Sequence, residues 1–188
     1  FHNLHINKTQ ATDTVILNKF VIINDTLLLT SGDILLNDSL EMKFIGGTPS
    51  VSSPGGIFGE TDVNRIYGPS FIKVSKVSWS NIGMKSYQML KNVGISLEVK
   101  DYLGTNTPLI YRYNVTQECG GNTGSIQRTF EFDSISQNGE IDTVSIKYHI
   151  PSEQGSLPNS DSISVYFSND DRDNWTDIGG TYGVGSAT

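Results

Sequence analysis

Cysteine is almost absent from this sequence. The 188 residues contain one, Cys119, so no disulfide can form within the chain and its stability must come from packing. A chain of this length can bury a core large enough for that purpose. The flanking Gly120 and Gly121 give the thiol no setting that lowers its pKa, so we expect an unreactive cysteine.

Basic residues are also scarce. Lys and Arg number 13 against 20 Asp and Glu, for a net charge of −7, which disfavours binding to nucleic acid and to anionic membrane surfaces. No apolar run approaches the roughly 20 residues that span a bilayer, so we expect no membrane insertion. The chain begins at Phe1 and not at Met, which indicates a processed or excised fragment.

Catalytic motifs are missing too. There is no Gly-x-Ser-x-Gly elbow, no His-Glu-x-x-His pair and no glycine loop that opens a helix. Of the three histidines, His149 falls on a polar strand face, while His2 and His5 lie in a terminus expected to be frayed. Glu131 and Asp133 share one strand face about 7 Å apart, and solvated carboxylates are favoured over a catalytic pair. We therefore predict that the chain is not an enzyme and has no cofactor, apart from the Ca²⁺ site weighed below.

Helical periodicity is absent, whereas alternation with period two recurs throughout, so the fold class is predicted to be all-β. The N-terminal third is predicted to consist of short strands separated by turn residues, which form either rungs of a solenoid or a tight meander. In the last of them Leu40, Met42 and Phe44 share a packed face, and Glu41 and Lys43 face solvent. The predicted strands are 15–23, 26–30, 33–36 and 39–45.

A segment rich in Gly, Pro and Ser, 46–56, marks the predicted domain boundary. We assign 1–56 to the short-strand lead-in and linker, 57–182 to an antiparallel β-sandwich, and 183–188 to a further linker. The later strands alternate apolar inward and polar outward residues, with Val144 and Phe167 predicted to face inward and Tyr166 outward.

Several short motifs occur in a consistent order over the last two thirds of the chain. They are Gly-Gly-Ile-Phe-Gly-Glu at 55–60 followed by Arg65, Ser-Asn-Ile-Gly-Met at 80–84, Leu-Gly-Thr at 103–105, Tyr-Arg-Tyr at 111–113, Gly-Ser-Ile-Gln-Arg-Thr-Phe at 124–130, and Ser-Asn-Asp at 168–170 leading to Trp-Thr-Asp-Ile-Gly-Gly at 175–180. Together they resemble a β-sandwich module of large secreted and cell-surface proteins of the Bacteroidota, many of them exported by the type IX system.

The resemblance implies an adhesin-like spacer module that follows solenoid-like repeats, located outside the cell or at its surface. It implies as partners the other domains of the same polypeptide, and glycans or the secretion machinery.

An acidic turn offers one candidate ligand site. Asn169, Asp171 and Asp173 recur at every second position, as oxygen ligands of Ca²⁺ do, although the closing Glu of a calcium loop is missing. The alternative is a solvated hairpin turn.

The same turn, 168–175, also resembles a degenerate Asp-box. In that interpretation Asp170 accepts backbone N–H bonds and Trp175 packs under the turn, both with a structural role. Arg172 stands where the Asp-box has glycine.

Arg128 shares strand parity with Ile126, Phe130 and Phe132, which places its guanidinium on the inward side. A buried arginine needs acceptors, so the parity predicts a structural ion pair or carbonyl contacts, favoured over anion recognition.

Flat aromatic side chains provide candidate sugar-stacking surfaces, with Trp79 and Tyr166 as the predicted ligand-binding residues; packing at sandwich edges is the competing interpretation. We therefore expect a non-enzymatic structural or adhesive module of a secreted bacterial surface protein. The alternative is a carbohydrate-binding module attached to a secreted enzyme.

Overall fold

The computed structural model describes residues 1–43, 55–75, 87–89, 93–99, 109–116, 126–133, 141–146, 153, 165–170 and 172–179. These residues form strands and no helix, which confirms the predicted all-β class. No helix in these ranges is long and apolar enough to cross a membrane.

The first nine strands are β1 Asn3–Asn7, β2 Thr14–Leu17, β3 Val21–Ile23, β4 Thr26–Ser31, β5 Asp33–Leu36, β6 Leu40–Lys43, β7 Gly56–Phe58, β8 Ile66–Tyr67 and β9 Phe71–Ser75. The later strands are β10 Tyr87–Met89, β11 Ile95–Val99, β12 Leu109–Tyr113, β13 Thr129–Asp133, β14 Ile141–Ile146, β15 Val165–Phe167 and β16 Thr176–Gly179.

The first nine strands form three stacked rungs of three strands each. Each strand of the first two rungs pairs in parallel with the strand three places later in the chain, which gives the ladders β1-β4-β7, β2-β5-β8 and β3-β6-β9. We call these sheets 1, 2 and 3. A meander would pair consecutive strands in antiparallel fashion, so the parallel ladders select solenoid rungs.

Two N-terminal predictions need correction. The predicted strand 15–23 is two strands, β2 and β3, because the chain turns a corner of the rung at residues 18–20. The terminus expected to be frayed contains β1, in which His5 pairs with Leu28 and its Nε2 lies 2.8 Å from Thr30 Oγ1. Leu4 and Ile6 alternate with polar residues in β1, which is itself a strand signal that the expectation of a frayed terminus overlooked. The parallel ladder with β4 holds this strand in place.

Apolar side chains from successive rungs stack in columns inside the solenoid. Met42 lies in register between Ile23 and Val74, and Ile110 of β12 continues this column; all four are fully buried. Burying each such side chain stabilises the fold by roughly 1.5–3 kcal/mol. The columns therefore hold the rungs together.

Glu41, predicted to face solvent, is buried, although it lies on the opposite face of β6 from Leu40 and Met42. Its carboxylate is buried and accepts a hydrogen bond from the Ser75 hydroxyl of the neighbouring strand β9. A buried carboxylate requires such a partner, and the pairing of β6 with β9 supplies it. Phe44, predicted to share the packed face with Leu40 and Met42, lies outside the described residues.

Sheet 3 continues beyond the solenoid. β12 pairs with β9 in antiparallel fashion, and β13 pairs with β12, so the strand order is β13-β12-β9-β6-β3. The strands β10, β11 and β14 form a second antiparallel group. Val93 and Ile95 belong to the same buried cluster as Ile110. The antiparallel part thus shares its core with the solenoid.

The predicted boundary at 46–56 does not coincide with a break between sheets. Parallel ladders join β4 to β7, β5 to β8 and β6 to β9 across this segment, of which residues 46–54 lie outside the described ranges.

Val144, predicted to face inward, is 38% exposed. It lies on β14, the outer strand of its three-stranded group, where one flank has no neighbouring strand in the described part of the chain.

Candidate functional site

A cluster of buried charges lies where β12 joins the solenoid. Arg112 occupies the place in sheet 3 that Leu40 and Ile72 take in the rungs, because the register aligns these three residues. Its neighbour on the other side is Phe130 of β13. A guanidinium therefore replaces an aliphatic side chain in an inward-facing column, and it is fully buried.

The Arg112 guanidinium is satisfied by several acceptors. Nη1 donates to Glu60 Oε2 at 2.7 Å and Nη2 donates to Glu60 Oε1, so the pair is bidentate. Nε donates to Asn114 Oδ1 at 2.8 Å, and Nη1 also lies 3.2 Å from the Val93 carbonyl oxygen. Bidentate, charge-assisted bonds of this kind are strong and fix the orientation of both groups.

Arg128, for which the sequence predicts a buried ion pair, lies beside Arg112. Its Nη2 donates to Glu153 Oε1 and lies 3.5 Å from Glu60 Oε1. Glu153 Oε1 is also 3.8 Å from Arg112 Nη2. Burial and the charge of Arg112 lower the pKa of Arg128, against the opposing charges of Glu60 and Glu153. Two arginines and two glutamates thus compensate one another out of water. We call these four residues the buried charge cluster.

A small cavity borders this cluster. Its volume is about 20 Å³, and it is lined by Arg65, Ile66, Tyr67, Asn114, Gln127 and Glu153. Asn114 Nδ2 is buried and has no hydrogen-bond partner among the residues that the structure describes. A polar cavity of this size accommodates a water molecule and is too small for a sugar ring.

The acidic turn closes a hairpin between β15 and β16. Asp170 accepts from Asn174 N at 2.9 Å and from Ser168 Oγ at 2.8 Å on one carboxylate oxygen, and from Asn174 Nδ2 at 2.6 Å on the other. These bonds, those of Asn174 first, lower the pKa of Asp170. Both carboxylate oxygens of Asp170 therefore brace the turn. Trp175, which precedes β16, is half-buried.

The structure describes two of the three predicted calcium ligands. Asn169 and Asp173 are exposed, and Asp171 lies outside the described ranges. Over the part of the chain that the structure describes, no three His, Cys, Asp or Glu side chains gather in reach of one ion. Calcium binding here stays a prediction.

The Arg172 side chain connects the turn to sheet 3. It has φ of 73°, the left-handed conformation that glycine favours, at the position where the Asp-box has glycine. Its Nη2 donates to Glu131 Oε2 at 2.7 Å, and its guanidinium carbon lies 5.0 Å from the centre of the Tyr113 ring. Tyr113 Oη donates to the same Glu131 oxygen at 3.0 Å, and burial followed by this bond raises the pKa of Tyr113. The sequence analysis did not predict this contact. The feature that could have indicated it is Arg172 itself, a non-glycine residue at the glycine position of the Asp-box.

The structure describes one of the two predicted sugar-stacking residues. Trp79 lies outside the described residues. Tyr166, predicted to face outward, is half-buried, whereas Phe167, predicted to face inward, is 54% exposed. The pairing shifts between Val165 and Tyr166, with Ile178 of β16 as the extra residue. In the described part the ribbon has two strands, and alternation along β15 alone does not determine which of its faces is covered.

Three aromatic side chains that sequence reasoning did not select meet on the outer face of sheet 3. The Phe71 ring packs edge-on against Tyr111 at 5.3 Å and lies 5.7 Å from Tyr113. Burial and the charges of Asp133 and Glu131 raise the pKa of Tyr111. We call Phe71, Tyr111 and Tyr113 the aromatic cluster. The sequence feature that could have indicated this cluster is the alternation of Tyr111 and Tyr113 with Ile110 and Arg112 along β12.

Comparison of the chain with protein-family models, with curated proteins and with solved structures gives no match.

Proposed function

We propose that this chain is a non-enzymatic structural or adhesive module of a secreted bacterial surface protein, in which it joins a β-solenoid to an antiparallel β-sandwich. One observation carries the structural part of the proposal: sheet 3 runs without interruption from the solenoid strand β3 to the antiparallel strand β13. The secreted, surface-located part rests on the sequence resemblance. In the proposed sandwich, the face of β10, β11 and β14 packs against that of β9, β12 and β13.

The position of the buried charge cluster supports a structural role. Glu60 follows β7 of the third rung, whereas Arg112 comes from β12, so their bidentate pair crosses from the solenoid to the antiparallel part. Because a buried charge that loses its partner is strongly destabilising, the two parts are held in one arrangement. A rigid joint of this kind suits a module that spaces or presents neighbouring domains.

Mechanical unfolding tests the structural part of the proposal. The chain is held at its two ends and pulled in a single-molecule experiment. We expect one rupture that releases the solenoid and the antiparallel strands together, since sheet 3 connects them. Two well-separated ruptures would contradict a single joint, and catalytic turnover of a glycan or peptide by the purified chain would contradict a non-enzymatic role.

Surface labelling tests the location. Antibodies raised against the chain should label intact cells of the source bacterium, and treatment of the intact cells with protease should remove the label. Labelling that appears only after permeabilisation would overturn the proposed surface location.

The aromatic cluster favours a second candidate, a carbohydrate-binding module. Partly exposed rings beside Glu131 and Asp133 combine a stacking surface with hydrogen-bond acceptors. A glycan array checks this: binding that is lost in Tyr111→Ala and kept in Tyr67→Ala would support it. An array without hits on the folded chain would remove it.

A further inference from the structure

The first rung of the solenoid has one open side. β1, β2 and β3 each stand at the end of their sheet, so in the described residues they pair on one side only, with β4, β5 and β6. Unpaired strand edges are templates for further strands. In this chain the three edges of one rung are open together.

Four inward side chains of this rung are covered less than their partners in the next rung, whereas Ile6 and Ile23 are buried as their partners are. Leu17 is half-buried, whereas Leu36, which pairs with it, is fully buried; Val21 and Leu40 differ in the same way. Leu4 and Val15 show the same contrast with Leu27 and Ile34. The residue types agree from rung to rung, and what the first rung lacks is a neighbour on its open side.

Phe1 already takes the place of a strand residue on that side. Its amino group donates to the Ile22 carbonyl oxygen at 2.8 Å, and its own carbonyl oxygen accepts from Asn24 N at 2.9 Å. Two bonds to the residues on either side of Ile23 are the pattern by which parallel strands pair. Phe1 therefore heads the column of Ile23, Met42 and Val74, and yet its side chain is 70% exposed.

We infer that the open side of the first rung is the docking face for a further rung of the same kind, which enters through a strand above β3 that leads into Phe1. The occupant is a three-stranded parallel rung with apolar residues at the inward positions. The interface between rungs is already established twice in this chain, and the open side repeats it in the same register. Stacked repeats of this type bury a continuous core through such contacts.

This inference rests on the proposed structural role and names the partner on the solenoid side. A second copy of the chain is a poorer occupant. Its far end in sheet 3 consists of the antiparallel strands β12 and β13, so two copies can match only open side to open side, which reverses the strand direction seen between rungs.

An extended chain tests the inference. Phe1 lies opposite Ile23, 22 positions later in the chain, so a second copy of residues 1–22 placed directly before Phe1 keeps the register, with Phe1 in the place of its Ile23. We expect amide exchange in β1, β2 and β3 to slow at least tenfold and the added copy to resist protease. The matched control carries Leu17→Lys and Val21→Lys in the added copy only, and it should show neither effect.

A free peptide of residues 1–22, with the same lysine control, provides a second format if the extended chain does not fold. Unchanged exchange in β1 to β3 in every folded format would overturn the inference. Self-association of the unmodified chain that Leu17→Lys abolishes would also overturn it, by making a second copy the occupant. Neither result affects the surface-labelling or pulling experiments, so failure of the inference is distinguishable from failure of the proposed function.

Discussion

Arg112 donates to both carboxylate oxygens of Glu60, across the junction between β12 and the segment after β7. Arg112→Met leaves the Glu60 carboxylate buried beside fewer donors. We expect a loss of about 3–5 kcal/mol in the free energy of unfolding, measured by urea denaturation. The double variant Arg112→Met, Glu60→Leu should recover most of this loss, because both charges are then gone.

The exposed pair of Arg172 and Glu131 is the matched control. Their side chains are 37% and 44% exposed, so Arg172→Met should lower the free energy of unfolding by no more than about 1 kcal/mol.

Arg128→Ala, which removes the other guanidinium of the buried charge cluster, should lower the melting temperature. An unchanged melting temperature for Arg128→Ala would contradict its assignment as a structural ion pair.

Gly59 lies directly under the preceding rung. A Cβ at this position would be 1.9 Å from the Leu29 carbonyl oxygen, and φ is +77°. Gly59→Ala must therefore displace the backbone of β4 and should destabilise the fold by more than the strain of about 1–2 kcal/mol that the left-handed conformation alone imposes. Gly179→Ala is the control, since φ is +71° but nothing lies within 4 Å. Equal losses for the two variants, measured by thermal unfolding, would argue against a close contact between rungs.

Arg172 combines backbone strain with a favourable contact, and a double-mutant cycle separates the two. Arg172→Gly relieves the left-handed strain but loses the bond to Glu131 and the contact with Tyr113, so its net effect should be within about 1 kcal/mol. Glu131→Gln should destabilise the parent chain and have little effect in the Arg172→Gly background. Equal effects in both backgrounds would show that the two side chains are not coupled.

Asp170 makes the order of the turn depend on pH. Its pKa is lowered by the bonds from Asn174 and Ser168, so the folded turn binds a proton less readily than the unfolded chain does. The stabilisation is therefore complete above the usual Asp pKa of about 3.9 and is lost as the pH falls through the lower folded value. Amide exchange at Asn174 should accelerate over that acidic range. In Asp170→Asn, exchange at Asn174 should already be fast at neutral pH and should lose this acidic transition.

Calcium binding by Asn169, Asp171 and Asp173 predicts heat in a calorimetric titration with Ca²⁺ and a higher melting temperature, both reduced by Asp173→Asn. Asp25→Asn, far away at the rung corner after β3, should leave both unchanged. A titration with neither heat nor a shift in melting temperature would remove this site.

Much of the strand content was predictable, because period-two alternation and turn residues are local signals. Strands β4, β5 and β6 were predicted to within about two residues, and the inward position of Arg128 followed from strand parity. The sequence also indicated the role of Asp170, since an Asp two residues after Ser168 matches the turn it stabilises.

What could not be predicted depends on partners distant in the chain. Glu60 and Glu153 are ordinary carboxylates in sequence, and only the fold brings them to Arg112 and Arg128. Glu41 is buried because β9 supplies Ser75. Alternation cannot distinguish a parallel ladder from an antiparallel one, so the third rung after residues 46–56 could not be recognised from the sequence.

The change from parallel to antiparallel pairing at β9 also bears on the order of folding. A nascent chain emerges with its N-terminus first, and domains fold as they emerge, so the three rungs can be complete before β12 is synthesised. The finished edge of β9 can then serve as the template on which β12 and β13 assemble. A chain in which the third rung forms slowly would leave the edges of β4, β5 and β6 open, and strand-edge aggregation during synthesis would be the expected consequence.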